Sequence, residues 1–155
     1  MYIRKLLDDE YEEVIKLIYD SVHTVCKKDY SKEELDAWAP ASFDFIKFQK
    51  ALSDCINLVM IERNIIIGFI SMEKNGYINR LYTHKMFLNQ GVASSLLKKA
   101  EEWAKSHDVY ELSLDSSKTA KDFYKKKGFL ENGISTAEHN GIIFRNTVMK
   151  KRLVR

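Results

Sequence analysis

One proline and six glycines punctuate the 155 residues, and no Ser/Gly-rich linker, low-complexity tract or internal repeat divides them. Nothing therefore marks a domain boundary, and the length suits one domain with a real core rather than two small ones. The folded unit is expected to run over 1–155. Cysteine is scarce too: Cys26 and Cys55 stand far apart, with no CxxC and no His pair at ligand spacing. That argues against a disulfide scaffold and a zinc site and leaves two reduced, packed thiols, with no metal expected. His84, His107 and His139 show no ligand spacing and read as surface or turn residues. The longest apolar run, "NIIIGFISM", is too short to cross a bilayer, and "MYIRKLLDDEYEEV" turns acidic before a signal core can form. A cytoplasmic protein with no membrane partner is expected. An excess of one charge is also lacking, since 25 Lys plus Arg face 22 Asp plus Glu. A net charge of +3 is too mild to argue for nucleic acid, and no interleaved basic and aromatic stripe supports it.

What is present is periodic. "YIRKLL" reads as a strand, and "DDEYEEVIKLIYDSVHTV" places Val14, Leu17, Ile18, Ser21, Val22 and Val25 at helical spacing behind an acidic first turn. "YSKEELDAW" carries a capping box, Ser31 with Glu34, and Ser42 is a candidate cap for a third helix through "FDFIKFQKAL". "CINLVMIERNIIIGFISMEKNGYINRLYTH" reads as three strands turning at "ERN" and "EKNG", an antiparallel meander. From Gly91, residues Val92, Leu96, Ala100 and Trp103 trace one helical face, and "VYELSLD" returns as a buried strand. A short helix is expected to begin near Ser117 and stop at Gly128, followed by a hairpin turning at "HNG". The order is β, α, α, α, β, β, β, α, β, α, β, β, a mixed α/β fold with a mostly antiparallel sheet flanked by helices.

Gly91, followed by the small residues Ala93, Ser94 and Ser95, opens the long helix of "LNQGVASSLLKKAEEWA". The first four N–H groups of a helix lack partners within it and sit at the positive end of its dipole, which favours an anion such as a diphosphate. The same composition also serves an ordinary helix start. A nucleotide P-loop is excluded, because neither its Lys nor its second glycine is present, and G-x-G-x-x-G is absent.

Two separated stretches give the ambiguity a context. "LYTHKMFLNQGVASSLL" resembles the Q/R-x-x-G-x-G/A motif of the GNAT superfamily of acetyl-CoA-dependent N-acetyltransferases, and "SKTAKDFYKKKGF" resembles its N-x-x-A-x-x-F-Y-x-x-x-G-F motif. Leu88 stands where the first usually has Gln or Arg, and Ser117 where the second often has Asn. "DYSKEELDAWA" and "GFISMEKNGYINRLYTH" are similar to the YafP-type bacterial acetyltransferases within that superfamily. The resemblance implies that main-chain N–H groups of Asn89, Gln90, Gly91, Val92, Ala93 and Ser94 cradle the coenzyme A pyrophosphate. It implies that Leu81, Tyr82 and Thr83, on a fourth strand splayed from the fifth, bind pantetheine and the acetyl carbonyl through backbone, and that Ser117 assists. Many members of the fold pair through edge strands, so a homodimer is a further implication.

Acetyl transfer from a thioester to an amine needs a neutral amine, a polarised carbonyl and a proton for the departing thiolate. By resemblance Tyr124 is the acid, the alternative being a tyrosine packed beside Phe123. The superfamily's Glu positions fall on Tyr77 or Asn79 and on Leu112, so neither base is present; His23, Glu73, Asp115 or a water chain remain open. His23, Tyr30 and Trp38 are candidates for the acceptor pocket, with plain packing the alternative for each. Lys125–Lys127 and Lys150–Arg152 read as solvated faces, with one lysine a candidate for the 3′-phosphate. The expected activity is transfer of acetyl from acetyl-CoA to a primary amine of a small molecule or peptide. The missing Glu positions keep a second class open, a coenzyme A-binding sensor without catalysis.

Overall fold

The computed structural model describes residues 1–155. Strand β1 (Tyr2–Lys5) precedes three helices, α1 (Tyr11–Val25), α2 (Lys32–Trp38) and α3 (Phe45–Leu52). Strands β2 (Cys55–Glu62), β3 (Ile65–Glu73) and β4 (Ile78–Thr83) follow, then α4 (Val92–Ser106), β5 (Glu111–Ser116), α5 (Lys121–Lys126), β6 (Leu130–His139) and β7 (Ile142–Arg152). This is the expected order of elements. Local chemistry accounts for most boundaries. Ser31 Oγ accepts from the Glu34 N–H at 3.1 Å while Glu34 Oε1 accepts from the Ser31 N–H at 2.9 Å, the reciprocal capping box. The hairpins turn at Arg63 and Asn64 and at Asn140 and Gly141, all with positive φ as a two-residue primed turn demands.

Two helix starts differ from the sequence reading. Helix α3 is capped by Asp44, whose carboxylate accepts from the Lys47 N–H at 3.0 Å, and not by Ser42. Helix α5 begins at Lys121: Ser117 Oγ accepts from the Ala120 N–H at 3.2 Å, so 117–120 form a turn that leads into the helix rather than its first turn.

The strands form two sheets, β1-β2-β3-β4 and β5-β7-β6, with every pairing antiparallel. Strand β3, buried over nearly its whole length, explains the apolar run "IIIGFISM": it is covered on both faces. One core gathers α1, α2 and α3 against Val59, Ile66, Phe69 and Phe144. The other gathers α4 against Ile67, Ile70, Leu112, Leu114, Phe129 and Met149. Gly68 lies under α4, where an added Cβ would meet Val92 Cγ1 at 2.4 Å and Leu96 Cδ1 at 2.8 Å. The missing side chain lets the first turns of α4 approach the sheet. Both cysteines are free, Cys26 buried and Cys55 half-buried. No helix is long and apolar enough to cross a membrane.

Candidate active site

Strands β4 and β5 run parallel, and their only main-chain pairing is the Tyr77–Ser113 bridge just before β4, where the Ser113 N–H donates to Gly76 O at 3.1 Å. Beyond that point they diverge, so the cleft-side main-chain groups of Leu81, Tyr82 and Thr83 have no strand partner. A bulge shapes the same strand: Ser71 pairs with Arg80 and Met72 with Ile78, leaving Asn79 as the extra residue. The bulge resets the alternation. Ile78 and Leu81 both join the α4 core, while Tyr82 joins the core under α1–α3 and Arg80 lies over Phe48 of α3. The divergence opens into a cleft of about 1250 Å³.

One end of the cleft is the start of α4. Asn89 and Gly91 both take left-handed backbone, with φ of 60° and 80°. No side chain caps the helix, and the N–H groups of Val92, Ala93 and Ser94 have no protein acceptor. A Cβ built on Gly91 would have no atom within 4 Å, so the space before these donors is open. Donors, dipole and room together fit a diphosphate. Asn89, Gly91, Val92, Ala93 and Ser94 line the cleft, whereas Gln90 is exposed and does not.

Tyr124 stands at the middle. It is 6% exposed, packed edge-on against Phe123 and Phe129, and its hydroxyl faces the cleft without a protein partner. Burial, with a smaller effect of the neighbouring Tyr82, pushes its pKa far up, so it is a proton donor at any physiological pH. Burial pushes Tyr82 up to about 12. Cys26 also lines the cleft, and burial raises its thiol, which removes the thiolate a covalent route would need.

The other end is aromatic. Tyr30, Trp38 and Phe144 form a cluster with ring centroids 5.4–6.1 Å apart, and Phe43 meets Phe48 edge-on at 5.6 Å. Tyr30 is fastened: its hydroxyl accepts from the Lys118 N–H at 3.0 Å, and Thr119 Oγ1 donates to Asp29 at 2.7 Å beside it. Asn140 at the β6–β7 turn donates to Ala37 O at 2.7 Å. These bonds join the α1–α2 connection to the turn before α5, and α2 to the last hairpin. Trp38 and Tyr30 both line the cleft. His23 does not: its Nε2 lies 2.7 Å from Ala39 O, its ring stacks on Tyr19 at 4.1 Å, and it lies outside the lining.

The remaining base candidates are occupied. Asp115 accepts from the Tyr77 hydroxyl and, at 2.8 Å, from Ser135 Oγ; Glu73 accepts from Asn79 Nδ2 at 3.0 Å. Lys126 and Lys127 line the cleft, whereas Lys125 pairs with Glu131 and Lys151 with Glu101. Among the lining residues that the sequence reading did not place in the site are Phe43, Phe48, Phe144, Arg80 and His139. His139 is exposed as a residue, but its ring leans on Phe144 at 5.3 Å, and burial followed by the charge of Arg80 holds its pKa below the ordinary value. "HNG" carried only a turn signal, and nothing in "YINRLYT" announced the bulge that aims Arg80.

A model of the acetyltransferase (GNAT) domain matches residues 26–153. The chain belongs to the GNAT acetyltransferase family. It is an acyltransferase accordingly. Across 148 residues, 96% of this chain and 93% of the relative, it is 29% identical to the uncharacterized N-acetyltransferase YafP of Escherichia coli (strain K12). A GCN5-related N-acetyltransferase of Rhodopseudomonas palustris superposes with a TM-score of 0.94 at 28% identity, covering 98% of this chain and 95% of that one. The PaiA N-acetyltransferase of Thermoplasma acidophilum, solved in complex with coenzyme A, shares the fold, with a TM-score of 0.81 at 22% identity over 97% and 98% of the two chains.

Proposed function

We propose that the whole chain acts as one domain that transfers acetyl directly from acetyl-CoA to a primary amine of a small molecule or peptide. The observation that carries this reading is the meeting, in one cleft, of the open α4 start, the unpaired edge of β4 and the buried Tyr124 phenol. The PaiA N-acetyltransferase of Thermoplasma acidophilum, which shares this fold, was solved in complex with coenzyme A. Here the N–H groups of Gly91–Ser94 would hold its pyrophosphate, and Leu81–Thr83 its pantetheine arm. Lys126 and Lys127 add positive charge nearby.

The neutral amine attacks the thioester carbonyl; the new C–N bond forms, the C–S bond breaks, and the sulfur leaves with the proton of the Tyr124 hydroxyl. The amine's own proton passes to His139, an imidazole kept neutral, or to water in the cleft. With the Cys26 thiol protonated, no acyl-enzyme is invoked. A cytoplasmic setting and a homodimer paired through edge strands accompany this reading.

Release of free thiol from acetyl-CoA with a panel of small amines and peptides tests the transfer, and calorimetry with coenzyme A tests the binding. No heat of binding at about 100 µM coenzyme A would end the proposal. A coenzyme A sensor is the second reading, favoured by Tyr77, Asn79 and Leu112 at the positions of the family's bases; it predicts binding without thiol release.

A further inference from the structure

We propose that the acceptor amine also carries a carboxylate, and that Arg80 is the residue that binds it. This rests on the transferase reading above and concerns the acceptor end of the same cleft.

Arg80 is a half-buried guanidinium 5.4 Å over the Phe48 ring, with no carboxylate of the chain within ion-pair distance. The contrast with Arg4 is instructive. Where an arginine serves the fold, it is matched: Arg4 holds Glu10 through two parallel bonds of 2.8 and 2.7 Å. Arg80 has the same fork and nothing in it. The two carboxylates that line the cleft are engaged elsewhere, Asp44 as the cap of α3 and Asp115 by Tyr77 and Ser135. Neither supplies the missing anion.

The position is built rather than incidental. Because Asn79 is bulged, Arg80 and Tyr82 project to the α1–α3 side, away from Ile78, Leu81 and the α4 core. That side carries the aromatic rings Trp38, Phe43, Phe48 and Phe144. Phe48 backs the guanidinium and restricts it, so fewer rotamers are lost when an anion binds. The charge acts on the cleft already, since it contributes to the depressed pKa of His139. An acceptor with its amine at the thioester, an apolar body against the rings and a carboxylate on Arg80 matches the rings and the unpaired guanidinium together. The class that fits is an amino carboxylate with an aromatic or apolar side chain, free or at the end of a short peptide.

The test compares matched acceptors: phenylalanine, phenylalaninamide and phenethylamine, with leucine and its amide as an aliphatic pair. In wild type the carboxylate form should be favoured in kcat/KM by roughly 10- to 100-fold. Arg80→Gln should abolish that ratio, chiefly through KM, and Arg80→Lys should restore part of it. Coenzyme A affinity by calorimetry should be unchanged in both variants, which also shows that they fold. In parallel, binding of N-acetylphenylalanine and N-acetylphenethylamine is measured on the protein saturated with coenzyme A, a readout independent of turnover. Failure of the transferase reading would appear as absent coenzyme A binding, or as no thiol release with any amine. If coenzyme A binds but the carboxylate confers no advantage in rate or in product binding, or Arg80→Gln leaves the advantage intact, the assignment of Arg80 is overturned.

Discussion

Gly68 and Val92 interlock: the space a side chain would need on β3 is filled by Cγ1 of Val92 from the first turn of α4, 2.4 Å from where that Cβ would stand. The N-terminal end of α4 is thus positioned by an absence in the sheet. Gly68→Ala should destabilise the protein by about 1–3 kcal/mol, the usual cost of overpacking, and weaken coenzyme A binding because the helix start is displaced. Urea denaturation and calorimetry read the two effects; a variant of full stability would show that the helix yields freely.

Gly91→Ala separates these effects. Its Cβ meets no atom of the protein, but the φ of 80° is unfavourable for alanine, at a cost of about 1–2 kcal/mol. The methyl group would stand in the open space before the α4 donors. Coenzyme A affinity is expected to fall by roughly tenfold or more. If affinity holds while stability drops, the ligand does not approach this turn.

Tyr124→Phe keeps the edge-on ring contacts with Phe123 and Phe129 and removes only the hydroxyl. Turnover should fall by roughly 100-fold, with coenzyme A affinity within about twofold of wild type. Because burial raises the phenol, wild-type activity should show no alkaline decline from Tyr124 ionisation below its unperturbed range near 10. Unchanged turnover would return the ring to packing.

The acidic limb of kcat/KM should follow His139 if that ring takes the amine's proton. Burial and Arg80 lower its pKa, so the ring stays neutral, and active, to a pH below the ordinary histidine value. Arg80→Gln removes a positive neighbour and should shift the His139 pKa upward. Proton NMR titration of the imidazole measures this directly, and the acidic limb should move in the same direction. A limb that stays fixed while the ring pKa moves assigns the proton to water.

Acid stability should report the Arg4–Glu10 pair. Its hydrogen bonds to Arg4 hold the Glu10 carboxyl below its ordinary value of 4.5. The folded state then binds fewer protons than the unfolded chain, so the pair's contribution is complete above 4.5 and is lost as pH falls through the lowered value. Glu10→Gln should cost roughly 1 kcal/mol at pH 7. The gap between wild type and variant in urea midpoints should narrow as the pH falls below 4.5 and through the lowered Glu10 value; a constant gap would trace the loss to packing.

The order of elements was legible because each one is locally signalled: period 3.6 in α1 and α4, turn residues at Asn64 and Gly141, and the Ser31–Glu34 box. Gly91 alone was ambiguous between an anion site and an ordinary helix start; it and Tyr124 were singled out through resemblance, because each sits in a contiguous motif stretch, and both line the cleft. The acceptor end was not legible in this way. Arg80 is aimed by a bulge that exists only once β3 and β4 pair, and His139 enters the cleft because the hairpin turn is tied to α2 through Asn140 and Ala37. His23 misled for the converse reason: its helix faces the right region, but Tyr19 and the Ala39 carbonyl claim its ring. Pairwise tertiary choices of this kind leave no mark on a single stretch of chain.

The two cores on either face of the β1–β4 sheet have a consequence for descent. In the proposed reading the α4 start and Tyr124, on the α4 side, meet the donor, while Trp38, Phe43, Phe48 and Arg80, on the α1–α3 side, meet the acceptor; β4 is the shared border, with its Tyr82 on the α1–α3 side. Substitutions among Trp38, Phe43, Phe48 and Arg80 would alter the α1–α3 side and leave the packing of Val92, Leu96 and Leu114 against the opposite face in place. A lineage built on this plan can change what it modifies and inherit unaltered what it modifies with.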